Sequence, residues 1–533
     1  RKVHIGLGAL EKIDSVKVQW LDGQTQIEIG LDVNREHLLK RKPNATVENK
    51  TFLAYEKEFK VFPFRHLENN FVDYDREVLM PEKLSSEGPA IVKADFNGDD
   101  LEDIYIGGAK DQAPAFFLQQ KNGEYVSDKT SDFIRDIFYE DVDATAFDIE
   151  NDGDLDLYVM SGGGDRYENE VNLEDRIYIN DGNARFKRLP APLIRTNGGS
   201  VSSGDFDGDG FDDLFIGNRS IPGAYGLSPN SYILKNNGKG NYRIVKESRF
   251  GMVTDSQWAD INGDKLLDLV VVGDWMPITV YINQGDSTFI NETKKYGLEN
   301  SFGMWNSVLV ADLDQNGKND IIAGNAGMNI KFKASNERPM KLYLDDFDDN
   351  GTVDPIIFYD FFGDYVPFAS KDKLVTQLPS LKKKFLSYEA FSKIKGIKDL
   401  TGKAENEILE IKQVSELRSM AYLNTGGQFK AVPLPKEAQM SSIEDMIVEF
   451  DNERTWIAFV GNYLDYTNEL GQSNANSGSV ITMDREGKFG LCQSSDLPTG
   501  LNARKITKLN ADEYLILSNN DRSYIIEILK NKY

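Results

Sequence analysis

A nine-residue acidic pattern occurs six times along this chain, with Asp, Asn or Glu at its first, third and fifth positions and Asp at its ninth. The copies are Asp95 to Asp103 (DFNGDDLED), Asp148 to Asp156 (DIENDGDLD), Asp205 to Asp213 (DFDGDGFDD), Asp260 to Asp268 (DINGDKLLD), Asp312 to Asp320 (DLDQNGKND) and Asp346 to Asp354 (DFDDNGTVD). The first five begin 53, 57, 55 and 52 residues apart. A steady period of this size restricts the fold to an array or a ring of equal supersecondary units, none of which buries its apolar face alone.

Oxygen side chains at alternate positions of a tight turn converge on one point, and several carboxylates converge stably only around a cation. Calcium suits such a site, because it takes about six to eight oxygens at flexible angles, whereas magnesium demands a stricter octahedron. The expected side-chain ligands are Asp95, Asn97, Asp99 and Asp103 in loop one, Asp148, Glu150, Asp152 and Asp156 in loop two, and Asp205, Asp207, Asp209 and Asp213 in loop three. They continue with Asp260, Asn262, Asp264 and Asp268 in loop four, Asp312, Asp314, Asn316 and Asp320 in loop five, and Asp346, Asp348, Asn350 and Asp354 in loop six. The seventh residue of each loop (Leu101, Asp154, Phe211, Leu266, Lys318, Thr352) is expected to add its main-chain carbonyl. Glycine at the fourth or sixth position, as at Gly98, Gly153 or Gly317, permits the positive φ that the turn needs. Up to six calcium ions follow. Loops one, two, three and six are richest in acid and should bind most firmly; loops four and five carry three acids each and enclose Lys265 and Lys318. A solvated Asp/Gly turn explains any single copy, but not six in register.

The loops also explain the charge. The chain's formal net charge is −25, and the six loops hold 25 acids and two lysines, leaving only −2 for the rest. Without metal the loops should repel internally, so folding and calcium binding are expected to be linked. No basic face is available for nucleic acid phosphates. One basic island, residues 371–403, holds nine lysines against three acids, and Leu381, Phe385, Tyr388 and Phe391 fall at helical spacing within it. That predicts an amphipathic helical insertion, either packed on the rim with a solvated lysine face or serving as a docking surface. Cys492 is the sole cysteine, so no disulfide framework exists, and the thiol reads as a small core residue. Loops of ordinary oxygen ligands fill where calcium is near millimolar, which places the chain outside the cytoplasm. No run of about eighteen apolar residues occurs. The start at Arg1 without a signal peptide suggests the mature or cloned portion of a longer precursor.

Short apolar strands follow the first five loops, namely IYIGG from Ile104, LYVMSGG from Leu157, LFIGN from Leu214, LVVVGD from Leu269 and IIAGN from Ile321. Comparable strands precede them, and hairpins such as YILKNNGKGNYRIV from Tyr232 complete each unit. Strand, acidic loop, strand and hairpin make a four-stranded blade, and the fold class is therefore all-β, a β-propeller. Met446 to Asn462 and Ile506 to Asn519 keep the strand pattern with degraded loops, DNERTW and LNADEY, to which no calcium is assigned. The sixth loop comes only 34 residues after the fifth and reads as the hairpin between the third and fourth strands of the fifth blade. This gives seven blades, or eight. The last unit reads as three-stranded, and a strand from Phe52 to Phe62 is expected to complete it, which would remove exposed edges.

The loops resemble the FG-GAP (VCBS) repeats of integrin alpha-subunit propellers. VHIGLGALEKIDSVKVQWLDGQTQIEI, from Val3 to Ile29, resembles the end of an ASPIC/UnbV domain, with its GLG turn and W-x-D-G hairpin. FRHLENNFVDYD from Phe64, GNRSIPGAYGLSP from Gly217, VGDWMP from Val272 and LPSLKKKFLSYEAF from Leu378 are similar to bacterial surface proteins that join these two modules. The division read from sequence is an ASPIC/UnbV-like β segment over 1–45, a propeller over 52–533 and the helical insertion at 371–403. The resemblance implies a secreted or lipid-anchored protein of the Gram-negative outer membrane, working beside a TonB-dependent transporter and a SusD-like lipoprotein, with no established catalysis.

Three functions fit this reading. The first is a binding module for a partner protein, peptide or glycan, with contacts expected from Arg219, Tyr225, Trp275, Asn325 and Asn329 after the second strands and from Trp305 entering the fifth blade. The second is a polysaccharide lyase or hydrolase. Against it, His4, His37 and His66 are the only histidines and all lie near the N-terminus outside the repeats, and no distinct nucleophile and base stand out. The third is a purely structural subunit of a surface complex.

Overall fold

The computed structural model describes residues 12–19, 24–40, 46–47, 59–129, 132–189, 194–451, 453–494 and 497–528. The chain forms two compact units, Arg1–Glu58 and Phe59–Tyr533. In the first, strand Lys12–Gln19 pairs antiparallel with Gln24–Asp32, which also pairs with Thr46–Val47. The turn at Trp20 to Gly23 and the GLG motif lie outside the described residues.

The second unit is built from antiparallel four-stranded sheets that follow one another along the chain. Sheet one runs from Ile91–Ala94 to Tyr125–Asp128, sheet two from Asp141–Phe147 to Lys187–Leu189, and sheet three from Asn197–Gly204 to Tyr242–Ser248. Sheet four runs from Met252–Ala259 to Phe289–Asn291, and sheet six from Ile443–Phe450 to Phe489–Ser494. In sheet five the strands Gly303–Ala311 and Asp320–Asn325 are separated in sequence from their partners Met420–Asn424 and Phe429–Pro433. Sheets four and five are joined, with Asp274 opposite Met304. Sheet seven has three strands near the C-terminus, Ala503–Lys508, Glu513–Ser518 and Arg522–Glu527, and takes its fourth, Lys60–Arg65, from the beginning of the unit. The closing strand therefore sits later than the expected Phe52 to Phe62; residues 51–58 lie outside the described ones.

Apolar side chains on both faces of each sheet tie neighbours together, since a sheet covered on both sides buries both of its alternating rows. Phe96 and Phe116 of the first sheet's neighbourhood pack with Leu157, Tyr178 and Phe186 of the second. Phe215 packs with Val253 and Leu269, Val280 with Val308 and Ile321, and Ile322 with Ile457. The last sheet returns to the first through Phe62, Leu515 and Leu517 against Ile104 and Phe117, with the rings of Phe62 and Phe117 at 4.9 Å. First strands meet at an inner side. There, Asp143, Asp255 and Asp445 accept main-chain N–H bonds from Val201, Val308 and Ile506 of the next sheet at 2.9, 2.8 and 2.9 Å, and Lys505 approaches Asp143 to 3.7 Å.

Two sequence expectations are corrected. Residues 340–414 do not supply the hairpin of the fifth sheet but form an inserted sheet of their own, Asp364–Pro367, Asp354–Phe361, Met340–Asp345 and Glu410–Val414 in that order. The lysine-rich stretch is not one amphipathic helix but four short ones, Lys371–Gln377, Leu381–Lys384, Tyr388–Phe391 and Ile397–Thr401. Pro379 and Gly396 fall between helices, and Ser370 and Ser387 cap new ones. Leu381 and Phe385 are buried against the inserted sheet, whereas Tyr388 is 62% exposed.

Candidate metal-binding loops

Each acidic loop joins two neighbouring antiparallel strands, and its ninth Asp sits directly opposite the residue preceding the first: Ala94 faces Asp103, Phe147 faces Asp156, Gly204 faces Asp213, Ala259 faces Asp268, Ala311 faces Asp320 and Asp345 faces Asp354. The loop is thus a wide turn of fixed register, and its interior hydrogen bonds repeat in all six copies. The first Asp accepts the N–H of the sixth residue (Asp100, Gly153, Gly210, Lys265, Gly317, Gly351) at 2.7 to 2.9 Å. The fifth side chain accepts the N–H of the seventh residue at 2.8 to 3.3 Å. Both the fourth and the sixth residues have positive φ in every loop, including the non-glycine residues Asp100, Asn151, Lys265, Gln315 and Asp349.

The ninth Asp is a buried anchor. One oxygen accepts the third-strand N–H of Gln119, Asn180, Asn236, Asn283 or Asn424 at 2.7 to 2.9 Å. In the inserted sheet a helix residue takes that part, Gln377 Nε2 donating to Asp354 at 2.7 Å. In five loops the other oxygen accepts the N–H of the loop's second residue, as Ile149 to Asp156 at 2.9 Å and Leu313 to Asp320 at 2.8 Å, whereas Asp213 Oδ2 of loop three is buried without a hydrogen bond. Burial outweighs these bonds and pushes the carboxyls up, Asp156 and Asp213 to about 7 and Asp103, Asp268 and Asp320 to about 6. A cation beside them would offset that burial cost.

The third position is where a cation fits. Asp207, Asp314 and Asp348 each keep a buried Oδ1 without a hydrogen bond, as does Asp154 in loop two. Three carboxylates converge in loop three (Asp205, Asp207, Asp209), loop five (Asp312, Asp314, Asp320) and loop six (Asp346, Asp348, Asp354). Loops one and four carry an amide at position three (Asn97, Asn262), donating to Asp99 at 3.3 Å and Asp264 at 2.8 Å. Loop five thus gathers carboxylates as fully as loops three and six, although its sequence carries Lys318. In loop three Lys235, from the third strand, bonds Asp207 and reaches Asp209 at 2.8 Å. The donor set of carboxylates and amides matches a hard cation.

Sequence reasoning missed two sets of supporting residues. Asn180, Asn236, Asn283 and Asn424 donate from Nδ2 to the carbonyls of Phe96, Ile149, Phe206 and Ile261, the second loop residues of the preceding sheet, at 2.7, 3.2, 2.6 and 3.1 Å. Their signal was visible as a recurrent Asn closing the third strand in IYIN, YILKN, VYIN and AYLN. The inner-strand staples Asp143, Asp255 and Asp445 had only an Asp within an apolar strand to mark them.

The expected ligand contacts are mostly internal. Tyr225, Trp275, Trp305 and Asn325 are buried to 2% exposure or less. Trp275 donates to the Tyr225 hydroxyl at 3.0 Å, which donates to Glu82 at 3.0 Å; Trp305 donates to Ser301 O at 2.9 Å, and Asn325 to Glu416 O at 3.1 Å. Arg219 pairs with Asp274 at 2.9 Å and with Glu87. For Tyr225 and Trp275 the cause is the segment 66–89, whose Glu77 accepts Tyr225 N–H at 2.8 Å and whose Met80 and Leu84 pack with both; Trp305 is buried between sheets four and five instead. Asn329 alone of the six is exposed.

Acidic loops set between the first two strands of successive antiparallel four-stranded sheets define an all-β repeat protein. The chain matches the FG-GAP-like repeat family over residues 260–323, the FG-GAP repeat over 197–224, and the ASPIC and UnbV family over 1–46. These matches cover loops three, four and five and the first unit's hairpin. Among curated proteins none matches. Similar solved structures include YCF48 from Cyanidioschyzon merolae, at 10% identity over 85% of this chain and 98% of that one, TM-score 0.39. Others are BBS1N in complex with ARL6DN, at 11% identity over 84% and 94%, TM-score 0.40, and the V. cholerae biofilm matrix protein Bap1, at 11% over 88% and 84%, TM-score 0.31.

Proposed function

We propose that this chain is a calcium-loaded, seven-bladed β-propeller that serves as a binding scaffold at the cell surface of a Gram-negative bacterium. The observation that carries the reading is the shared geometry of the six loops, each closed by the same internal bonds while third-position oxygens of Asp207, Asp314 and Asp348 are left for a cation. Calcium would draw the first, third, fifth and ninth side chains to one point and fix the loop between its strands. The chain's own part is to hold the ninth carboxylate, through Asn180, Asn236, Asn283 or Asn424, against the neighbouring sheet. Among the described residues no helix is long and apolar enough to cross a membrane.

In this reading the propeller is an accessory subunit of an outer-membrane uptake system, docking on a TonB-dependent transporter and a SusD-like lipoprotein. The test is affinity purification of the full chain from cross-linked outer membranes, with calcium and with chelator. Calcium-dependent recovery of both proteins supports the reading; a chain that comes through alone under both conditions overturns it.

A further inference from the structure

At the end of the sheets opposite the acidic loops, the connections of sheets six and seven and the segment 66–89 enclose a polar pocket of about 240 Å³. Three of its wall residues are almost wholly buried, Ser86 at 2%, Asn519 at 3% and Asn502 at 5% exposure. Ser86 Oγ and Asn502 Oδ1 have no hydrogen bond within the chain, while Asn502 Nδ2 is turned to Asp465 Oδ2 at 3.4 Å. Buried polar groups are normally paired, so a wall that leaves two of them unpaired is made for polar atoms from outside. Neighbouring wall groups are held in place: Asn519 donates to Glu68 at 2.6 Å and to Gly88 O at 2.8 Å.

The composition of the wall narrows the occupant. It is amides and carboxylates, with Leu464 the one aliphatic side chain among the lining residues. Amides offer a donor and an acceptor side by side, and carboxylates accept from hydroxyls, which together suit a ring of adjacent hydroxyl groups. Among the lining residues Glu68, Asp465 and Asp521 outnumber the one cation, Lys83, and the Arg504 guanidinium that reaches Asp465 at 3.6 Å does not line the pocket, which disfavours an anion. The volume lies below the roughly 300–1,000 Å³ of pockets for drug-sized ligands and suits one small ring.

We propose that this pocket binds a single neutral sugar residue, its hydroxyls meeting Asn502, Ser86 and the carboxylate of Asp465. The inference narrows the binding-scaffold reading and rests on it only for the idea that the chain binds a ligand; its test is separate from calcium loading and from membrane partners. Saturation-transfer NMR on the calcium-supplied full chain, with glucose, galactose, mannose, fucose and N-acetylglucosamine as probes and glucuronate as the anionic control, reads it directly. At least one neutral sugar should receive saturation, and its affinity should fall tenfold or more in Asn502→Ala. Gln472→Trp, at an exposed rim position, should block the mouth equally without removing a buried bond, with an unchanged melting temperature. Transfer to no neutral sugar, preference for glucuronate, or undiminished binding in both variants would overturn the proposal.

Discussion

Lys265 shows how much one residue of these loops determines. It occupies the sixth position with φ of 73°, a conformation that costs an L-residue roughly 1–2 kcal/mol, and it brings a positive charge to a cation site. Lys265→Gly removes both penalties and adds some unfolded-state entropy, so it should stabilise the chain by about 1 kcal/mol and tighten calcium binding at loop four, read by urea titration and calorimetry. Lys235 is the comparable case in loop three, where its ammonium holds Asp207 and Asp209. Lys235→Met should raise that loop's calcium affinity severalfold while lowering stability in chelator; unchanged affinity would show that the amine does not compete. His66 carries a pH dependence. It is fully buried, accepts the N–H of Asn520 at Nδ1 at 3.3 Å, and burial, helped by the Arg504 charge, holds its pKa down to about 3. An unfolded histidine titrates near 6.5, so the stability from the neutral ring is complete above that value and is lost as pH falls toward 3, by about 1.4 kcal/mol per unit. Burial pushes Glu68 and Glu87 up to about 7 and Glu82 to about 8, which acts in the opposite direction. The difference between wild type and His66→Asn isolates the histidine: the variant should lose less stability between pH 6 and pH 4, measured by denaturant titration.

At the scale of elements, the unit is a strand pair, its loop and the Asn that follows the third strand. Asn283→Ala removes the bonds to Phe206 O and Leu267 O and leaves buried carbonyls unpaired, so a loss of about 1–3 kcal/mol is expected. The loss should persist in chelator, because these bonds do not involve the metal; a loss seen only with calcium would assign Asn283 to the metal site instead. Much of this level was legible in the sequence. The 3.4 Å-per-residue logic of paired strands makes a nine-residue acidic stretch between two apolar runs a turn of fixed register, and the spacing of Asp95, Asp148, Asp205, Asp260 and Asp312 gave the order of sheets. The inserted sheet was not legible, because Asp346 to Asp354 carries the same local pattern as the other loops while its strand partners, Glu410–Val414 and Asp364–Pro367, are set by pairings no local pattern encodes. The single-helix reading of residues 371–403 failed for a similar reason: apolar spacing continued across Pro379, but the backbone could not.

At the largest scale, the two ends of the second unit are tied together. Strand Lys60–Arg65 pairs with Arg522–Glu527 across almost the full length of the second unit, so the first and last residues of the ring fold together. Long-range topology of this kind also set the fate of the expected contacts, since Tyr225 and Trp275 are covered once segment 66–89 folds across them, and Trp305 is buried between sheets four and five beside Val272 and Tyr422. The central claim is that the six loops are structural calcium sites. Thermal unfolding with excess calcium and then with chelator, together with metal analysis of the untreated protein, tests it most directly. Each site filled at a hundred times its dissociation constant contributes about 2.7 kcal/mol, so a large fall in melting temperature with chelator is predicted, and the analysis should find several calcium ions per chain, up to one for each loop. An unchanged melting temperature with no bound metal would contradict the account and leave the loops as turns held by their own hydrogen bonds.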